Sequence, residues 1–70
     1  MMPITMAESG KPMIVRRISG KDEVRRHLNE LGFVEGDTVT VIQNNKGNMI
    51  LQVKDGRIAL DERLAMRIQV

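Results

Sequence analysis

The chain contains no cysteine, no tryptophan and no tyrosine, and only one phenylalanine and one histidine. The lack of cysteine excludes disulfide staples, thiolate metal sites and cysteine nucleophiles. The lack of aromatics removes the stacking platforms that single-stranded nucleic acid binders and proline-peptide binders use, so both functions lose ground here. No apolar run approaches the ~20 residues that cross a bilayer, and no basic-then-apolar leader opens the chain. A soluble, cytoplasmic protein is expected. Lys and Arg outnumber Asp and Glu by eleven to nine, a net charge of +2, which is too mild an excess to demand nucleic acid. At 70 residues the expectation is one domain, 1–70, with a thin core, because a chain this short buries only about 60% of its unfolded surface.

What is present is a sequence of short, well-punctuated elements. Residues 1–12, with two prolines, read as a lead-in that packs Ile4 and Met6 against the domain. Met13–Ser19 reads as a strand with apolar residues on both faces, as in a strand that twists around a small barrel or carries a bulge. From Asp22 the period becomes helical, with Val24, Leu28 and Leu31 on one face. Ser19 or Asp22 is the expected cap, and Asp22 and Glu23 sit where the helix dipole favours negative charge. Gly32 fits the left-handed position that ends the helix, and Phe33 then folds back on Leu28. Gly36 allows a turn, and the chain re-emerges as the alternating strand Thr38–Gln43. The segment Asn44–Asn48 reads as a four- or five-residue hairpin loop leading to the strand Met49–Val53. Asp55-Gly56 is the usual pair for a type I′ turn into Arg57–Leu60. Asp61–Ala65 reads as a single 3₁₀ turn, and Met66–Val70 as a closing strand with Met66, Ile68 and Val70 inward. The fold class expected is mainly β: a small, five-stranded, partly open barrel with one helix after the first strand and a short 3₁₀ turn before the last. Its open edges leave two states, a monomer or a weak homodimer through edge pairing or exchange of a terminal strand.

The search for chemistry returns little. His27 has Glu23 at i−4 and Glu30 at i+3 on its side of the helix, a conceivable weak divalent site; the simpler reading is an imidazole flanked by solvated carboxylates. Ser9, Ser19 and the threonines have no second histidine to orient them, so no enzyme is expected. Each glycine has a turn to explain it, and no phosphate-cradling loop forms. No cofactor is expected. Arg16-Arg17 and Arg25-Arg26 are either solvated surface or a basic patch for an acidic partner, with Asp22 and Glu30 placed to pair with Arg26. Most of the six methionines are expected to fill the core, Met49 and Met66 in strands, with Met1, Met2 and Met6 less constrained.

Four pieces of the chain, in this order and spacing, carry a resemblance: "IVRRISG", "VRRHLNELGFVEGDTVTV", "GRIAL" and "LAMRIQV". Together they resemble the FeoA-type proteins, small cytoplasmic accessory proteins of bacterial ferrous iron transport. The same SH3-like fold recurs as a C-terminal domain of iron-dependent repressors. The likeness runs from Ser9 to Val70, with Ala65, Ile68 and Val70 matching the family's closing A-x-x-I-x-V pattern. The family commonly has proline before the second glycine of the corner, where this chain has Glu35, and often a longer loop than Asn44–Asn48.

The resemblance implies an SH3-like barrel that works as a partner-binding module of the FeoB-type ferrous iron transporter. It implies contact with that transporter's G-protein-like domain or membrane part, at the inner face of the membrane, with neither catalysis nor a held metal. Arg16, Arg17, Arg25 and Arg26 are formal candidates for an arginine finger acting on the G domain. The expected partner-binding face is the helix and corner: Arg25, Arg26, Asn29, Phe33 and Glu35. This is the element added to a bare barrel, and it combines charge with the one aromatic. Two other readings stand beside this one. The first is a free-standing regulatory module akin to the repressor domain. The second, the weakest without aromatics, is a small basic barrel on nucleic acid.

Overall fold

The apolar residues on both faces of Met13–Ser19 find two different partners, and the segment divides. In the computed structural model, which describes residues 1–70, β1 (Pro12–Ile14) and β2 (Arg17–Ile18) belong to separate sheets. β1 pairs antiparallel with β3 (Thr38–Asn45), whereas β2 pairs with β6 (Ile68–Gln69). The switch occurs at Val15 and Arg16. Val15 N–H donates to the Asp37 carbonyl (2.9 Å), and Arg16 N–H donates to the Gln69 carbonyl (2.8 Å). Val15 and Ile18, three residues apart, are thus both buried while Ile14 is left substantially exposed, a pattern that alternation along one uninterrupted strand does not produce.

β3, β4 (Asn48–Val53) and β5 (Gly56–Asp61) form a meander, so the main sheet has the order β1-β3-β4-β5. Val39, Val41, Met49, Leu51, Val53 and Leu60 point into the core from alternate positions, the signature of a sheet with one buried face. The register slips once, between Val41 and Gln43, and such a bulge increases the local twist and helps the sheet curl. The division of the first segment gives six strands in two sheets where five were expected; with one principal helix, the fold is otherwise the mainly β, SH3-like barrel expected.

The first hairpin is tighter than the sequence suggests, and the two-residue turn of the second lies one residue earlier. Asn45 pairs with Asn48, leaving only Lys46 and Gly47 in the loop. At the second, Val53 pairs with Gly56, so the turn residues are Lys54 and Asp55. A type I′ turn over Asp55-Gly56 is absent, since no residue other than glycine has a positive φ and Gly56 takes it alone at +147°. The left-handed strain falls on the one residue without a Cβ.

The helix α1 spans Asp22–Leu31. Leu28 is fully buried, and Val24 and Leu31 pack against the core. Lys21, not Ser19 or Asp22, occupies the N-cap, without a side-chain hydrogen bond. Asp22 and Glu23 fill the first turn, where their charge meets the positive end of the dipole. The C-terminal end is as expected: Gly32 is left-handed (φ +111°), and Phe33 N–H donates back to the Leu28 carbonyl at 3.0 Å. That 6→1 bond is the mark of a Schellman ending. It turns Phe33 inward, where it is wholly buried.

The lead-in contributes more than expected at one residue and less at another. Ile4, in a 3₁₀ turn over Ile4–Met6, is fully buried, but Met6 is among the most exposed apolar residues. Met2 exchanges two backbone hydrogen bonds with Val70 (2.9 and 2.8 Å). Glu62–Ala65 forms a single α turn, α2, not the 3₁₀ turn expected over Asp61–Ala65, and Asp61 is its cap, the carboxylate accepting from Leu64 N–H at 2.8 Å. Met66 ends this turn and is half exposed. The closing strand starts only at Ile68, so Met66 lies outside it. No helix is long and apolar enough to cross a membrane.

A Cβ on Gly32 would lie 3.4 Å from Val53 Cγ2 in a backbone conformation unfavourable to L-residues. Gly32→Ala is therefore expected to destabilise the fold by about 1–2 kcal/mol. The check is urea unfolding, with a lower midpoint and an unchanged slope.

Candidate functional site

The turn after Phe33 decides what α1 shows to solvent. Asp37 N–H closes it by donating to the Val34 carbonyl (3.0 Å), and Gly36 N–H donates to the Val15 carbonyl (2.8 Å). These bonds fix the corner against the point where the first segment changes sheets. Glu35, at the tip, reaches across to β2, where its Oε2 accepts the N–H of Ile18 at 3.2 Å. That donor faces away from β6 and finds no backbone partner, so the carboxylate does the work of a missing strand.

Between this corner and α1 runs a groove of about 280 Å³ lined by Ile18, Arg25, Asn29, Val34 and Glu35. Arg25 and Asn29 meet because they are one helical turn apart on the same face. Ile18 supplies an apolar floor from β2. Val34 stands at the rim and is nearly half exposed. A second depression of about 320 Å³ adjoins it, lined by Asp22, Arg25, Arg26 and Asn29. Arg25 is shared by the two and makes the only ion pair of the molecule, with Asp22 at 3.7 Å. Arg26, expected to pair with Asp22 or Glu30, has no acidic partner within 4 Å.

Four of the five residues expected from sequence to form a binding face therefore come together: Arg25, Arg26, Asn29 and Glu35. Phe33 does not. It is fully buried, because the Schellman ending aims the residue after the glycine at the core, and it can act only by holding the corner in place. Val34, which sequence reasoning missed, takes the exposed apolar position instead; the signal available was its place one residue beyond an inward Phe33. Arg16 and Arg17 are exposed and line neither depression.

A larger concavity, about 430 Å³, lies on the outer face of the main sheet beside Gly36, Asp37, Thr38, Thr40, Gln52 and Lys54. Its polar lining comes from the outward positions of β3 and β4, and none of the residues singled out from sequence reaches it. Glu23, His27 and Glu30 are all exposed, and no group of three His, Asp or Glu side chains converges in the way a metal ion would require.

A small barrel with an inserted helix thus carries a mixed polar and apolar groove beside that helix. A protein-family model, the FeoA domain, matches residues 2–70. The chain belongs to the FeoA domain family. It is 33% identical over 70 residues, all of this chain and 85% of the relative, to "Putative Fe(2+) transport protein A" of Methanocaldococcus jannaschii. Among solved structures it is similar to an iron uptake regulatory protein (FeoA), with 30% identity, a TM-score of 0.85, and coverage of 96% of this chain and 89% of that one. An FeoA of Stenotrophomonas maltophilia complexed with zinc, described as a prokaryotic SH3 domain protein, shares 26% identity at a TM-score of 0.84, covering 100% and 89%. A manganese-dependent transcriptional repressor shares the fold, at 17% identity and a TM-score of 0.86, over 94% of this chain and 38% of that one.

Glu35→Ala removes the acceptor for Ile18 N–H and is expected to cost about 0.5–1.5 kcal/mol. In amide spectra the shift change should centre on Ile18 and the corner, and denaturant unfolding gives the magnitude.

Proposed function

We propose that this chain is a cytoplasmic accessory protein of ferrous iron uptake that acts by binding, not by catalysis, and that its partner is the FeoB-type transporter at the inner face of the membrane. Membership of the FeoA domain family supports the iron-uptake setting. The observation that carries the binding mode is the convergence of Arg25, Asn29 and Glu35 with Val34 over the Ile18 floor. This set offers a guanidinium fork, an amide and a carboxylate around an apolar centre, which suits a protein surface with an acidic residue beside an apolar one. The partner's cytosolic G-protein-like domain is the surface within reach of a protein that has no membrane-crossing helix.

The test is a titration of isotope-labelled protein with the cytosolic domain of the cognate transporter, with ferrous iron alone as a control. Amide shifts should concentrate on residues 18, 25–29 and 34–35. Arg25→Glu with Arg26→Glu should weaken binding about tenfold or more without loss of fold, since reversing charges at a rim changes both attraction and on-rate. Unchanged affinity in the folded double variant, or shifts confined to the far side of the barrel, would sink the reading.

A further inference from the structure

Four backbone edges bound the two sheets, and three of them are closed by identifiable devices. β1 is three residues long and begins with Pro12, which has no N–H to offer. One side of β6 is covered by β2 and the other by the N-terminal segment, through Met2–Val70 bonds and the Pro3–Gln69 bridge. The remaining side of β2 is closed at Ile18 N–H by the Glu35 carboxylate. β5 alone is open. It pairs with β4 in a continuous six-residue register without a bulge; it has no proline, and its two exposed charges, Arg57 and Asp61, are of opposite sign and so do not repel a second copy as a run of lysines would. No backbone N–H of residues 57–61 donates to anything outside the β4–β5 ladder.

The direction of these free groups follows from the hairpin. The ladder closes on the pair Val53–Gly56 across a two-residue turn, which makes 56, 58 and 60 the residues bonded to β4. The N–H groups of Arg57, Ala59 and Asp61 then point out of the sheet.

We propose that this edge pairs antiparallel with the same edge of a second copy, about a two-fold axis at Ala59. The sequence around that residue is complementary to itself when reversed. An axis at Ala59 sets Arg57 opposite the partner's Asp61 twice, and Ile58 opposite the partner's Leu60 twice. Arg57, Ala59 and Asp61 are exposed on the outer face, so the two opposite-charge pairs form at the surface. Only the small Ala59 meets itself on the axis. Asp61 caps α2 with Oδ1, which leaves its other oxygen for the guanidinium. A shift of the axis by one residue in either direction breaks this pairing of charges. The contact is a single strand edge, well below the ~1,200–2,000 Å² of stable complexes, so the dimer is weak and governed by concentration.

The test uses the full chain. Sedimentation over a concentration series should show a monomer–dimer equilibrium, and amide exchange should slow with concentration selectively at Arg57, Ala59 and Asp61. Ala59→Pro removes an outward donor that the monomer does not use, so it should leave the dilute fold intact and raise the dimer dissociation constant about tenfold or more. Arg57→Asp alone sets carboxylates against each other and should also disfavour the dimer. Mixing it with Asp61→Arg restores both opposite-charge pairs and should yield a heterodimer. The exchange readout stands on the unmodified chain even if Asp61→Arg fails to fold. Equal exchange at all concentrations, or a dimer indifferent to Ala59→Pro, would overturn the proposal. So would protection of these three amides that appears only when the transporter's cytosolic domain is added, because the edge would then take a foreign strand.

Discussion

The burial of Phe33 holds the inserted helix to the barrel. Full burial of a phenylalanine is worth about 2–3 kcal/mol, against a total stability of about 4–10 kcal/mol for a domain of this length. The ring reaches the core only because Gly32 takes a left-handed conformation that ends α1 and reverses the chain. α1 itself contributes one fully buried side chain, Leu28. The helix is therefore positioned less by its own apolar stripe than by what happens in the two residues after it. The corner, the groove beside it and the start of β3 inherit their geometry from that turn.

Charge plays almost no part in holding the fold. Twenty charged side chains, eleven basic and nine acidic, make one ion pair, long at 3.7 Å and exposed on both sides. Such a pair contributes about 0–1 kcal/mol. The remaining charges can meet a partner without giving up an internal contact. Glu35, Asp61 and Arg57 are the exceptions: the Glu35 carboxylate accepts from Ile18 N–H, the Asp61 carboxylate caps α2, and Arg57 Nε donates to Gln52 Oε1. A proline in place of Glu35, which the family commonly has, would fit the turn but could not make the bond to Ile18. In this chain the corner is tied to β2 by a side chain that also lines the groove, so strengthening one role costs the other.

The helix, its glycine ending, the meander and the barrel class were legible from periodicity and from the punctuation of glycines. What sequence could not show was where a segment changes partners. Met13–Ser19 looks continuous because both of its halves are extended; only the competition of Asp37 and Gln69 for successive N–H groups separates them. The unbroken alternation Met66, Ile68, Val70 points to a closing strand from Met66, yet the turn after α2 takes Met66 and Arg67 from it. The first hairpin loop is short because backbone pairing extends up to the positive-φ Gly47, and the second turn lies one residue early because Gly56 is already paired with Val53. The site was partly legible for the same reasons. Arg25 and Asn29 share a face by spacing alone, whereas the approach of Glu35 depends on the corner, and Phe33 turned inward by the geometry that sequence itself had indicated.

The proposed groove and the open edge of β5 share no residue. One is built from β2, α1 and the corner; the other from Arg57 to Asp61. Gly32, where the corner begins, nevertheless faces the inward side of the edge strand, since the space beside it is bounded by Val53 and by Ile58. Strand addition at β5 that repositions Ile58 would press on the one glycine from which the corner takes its geometry, and a ligand that shifts the corner would press back. Coupling between two binding events is equal in both directions. A weak dimer and a weak partner complex linked through that contact would therefore favour or exclude each other by a common factor.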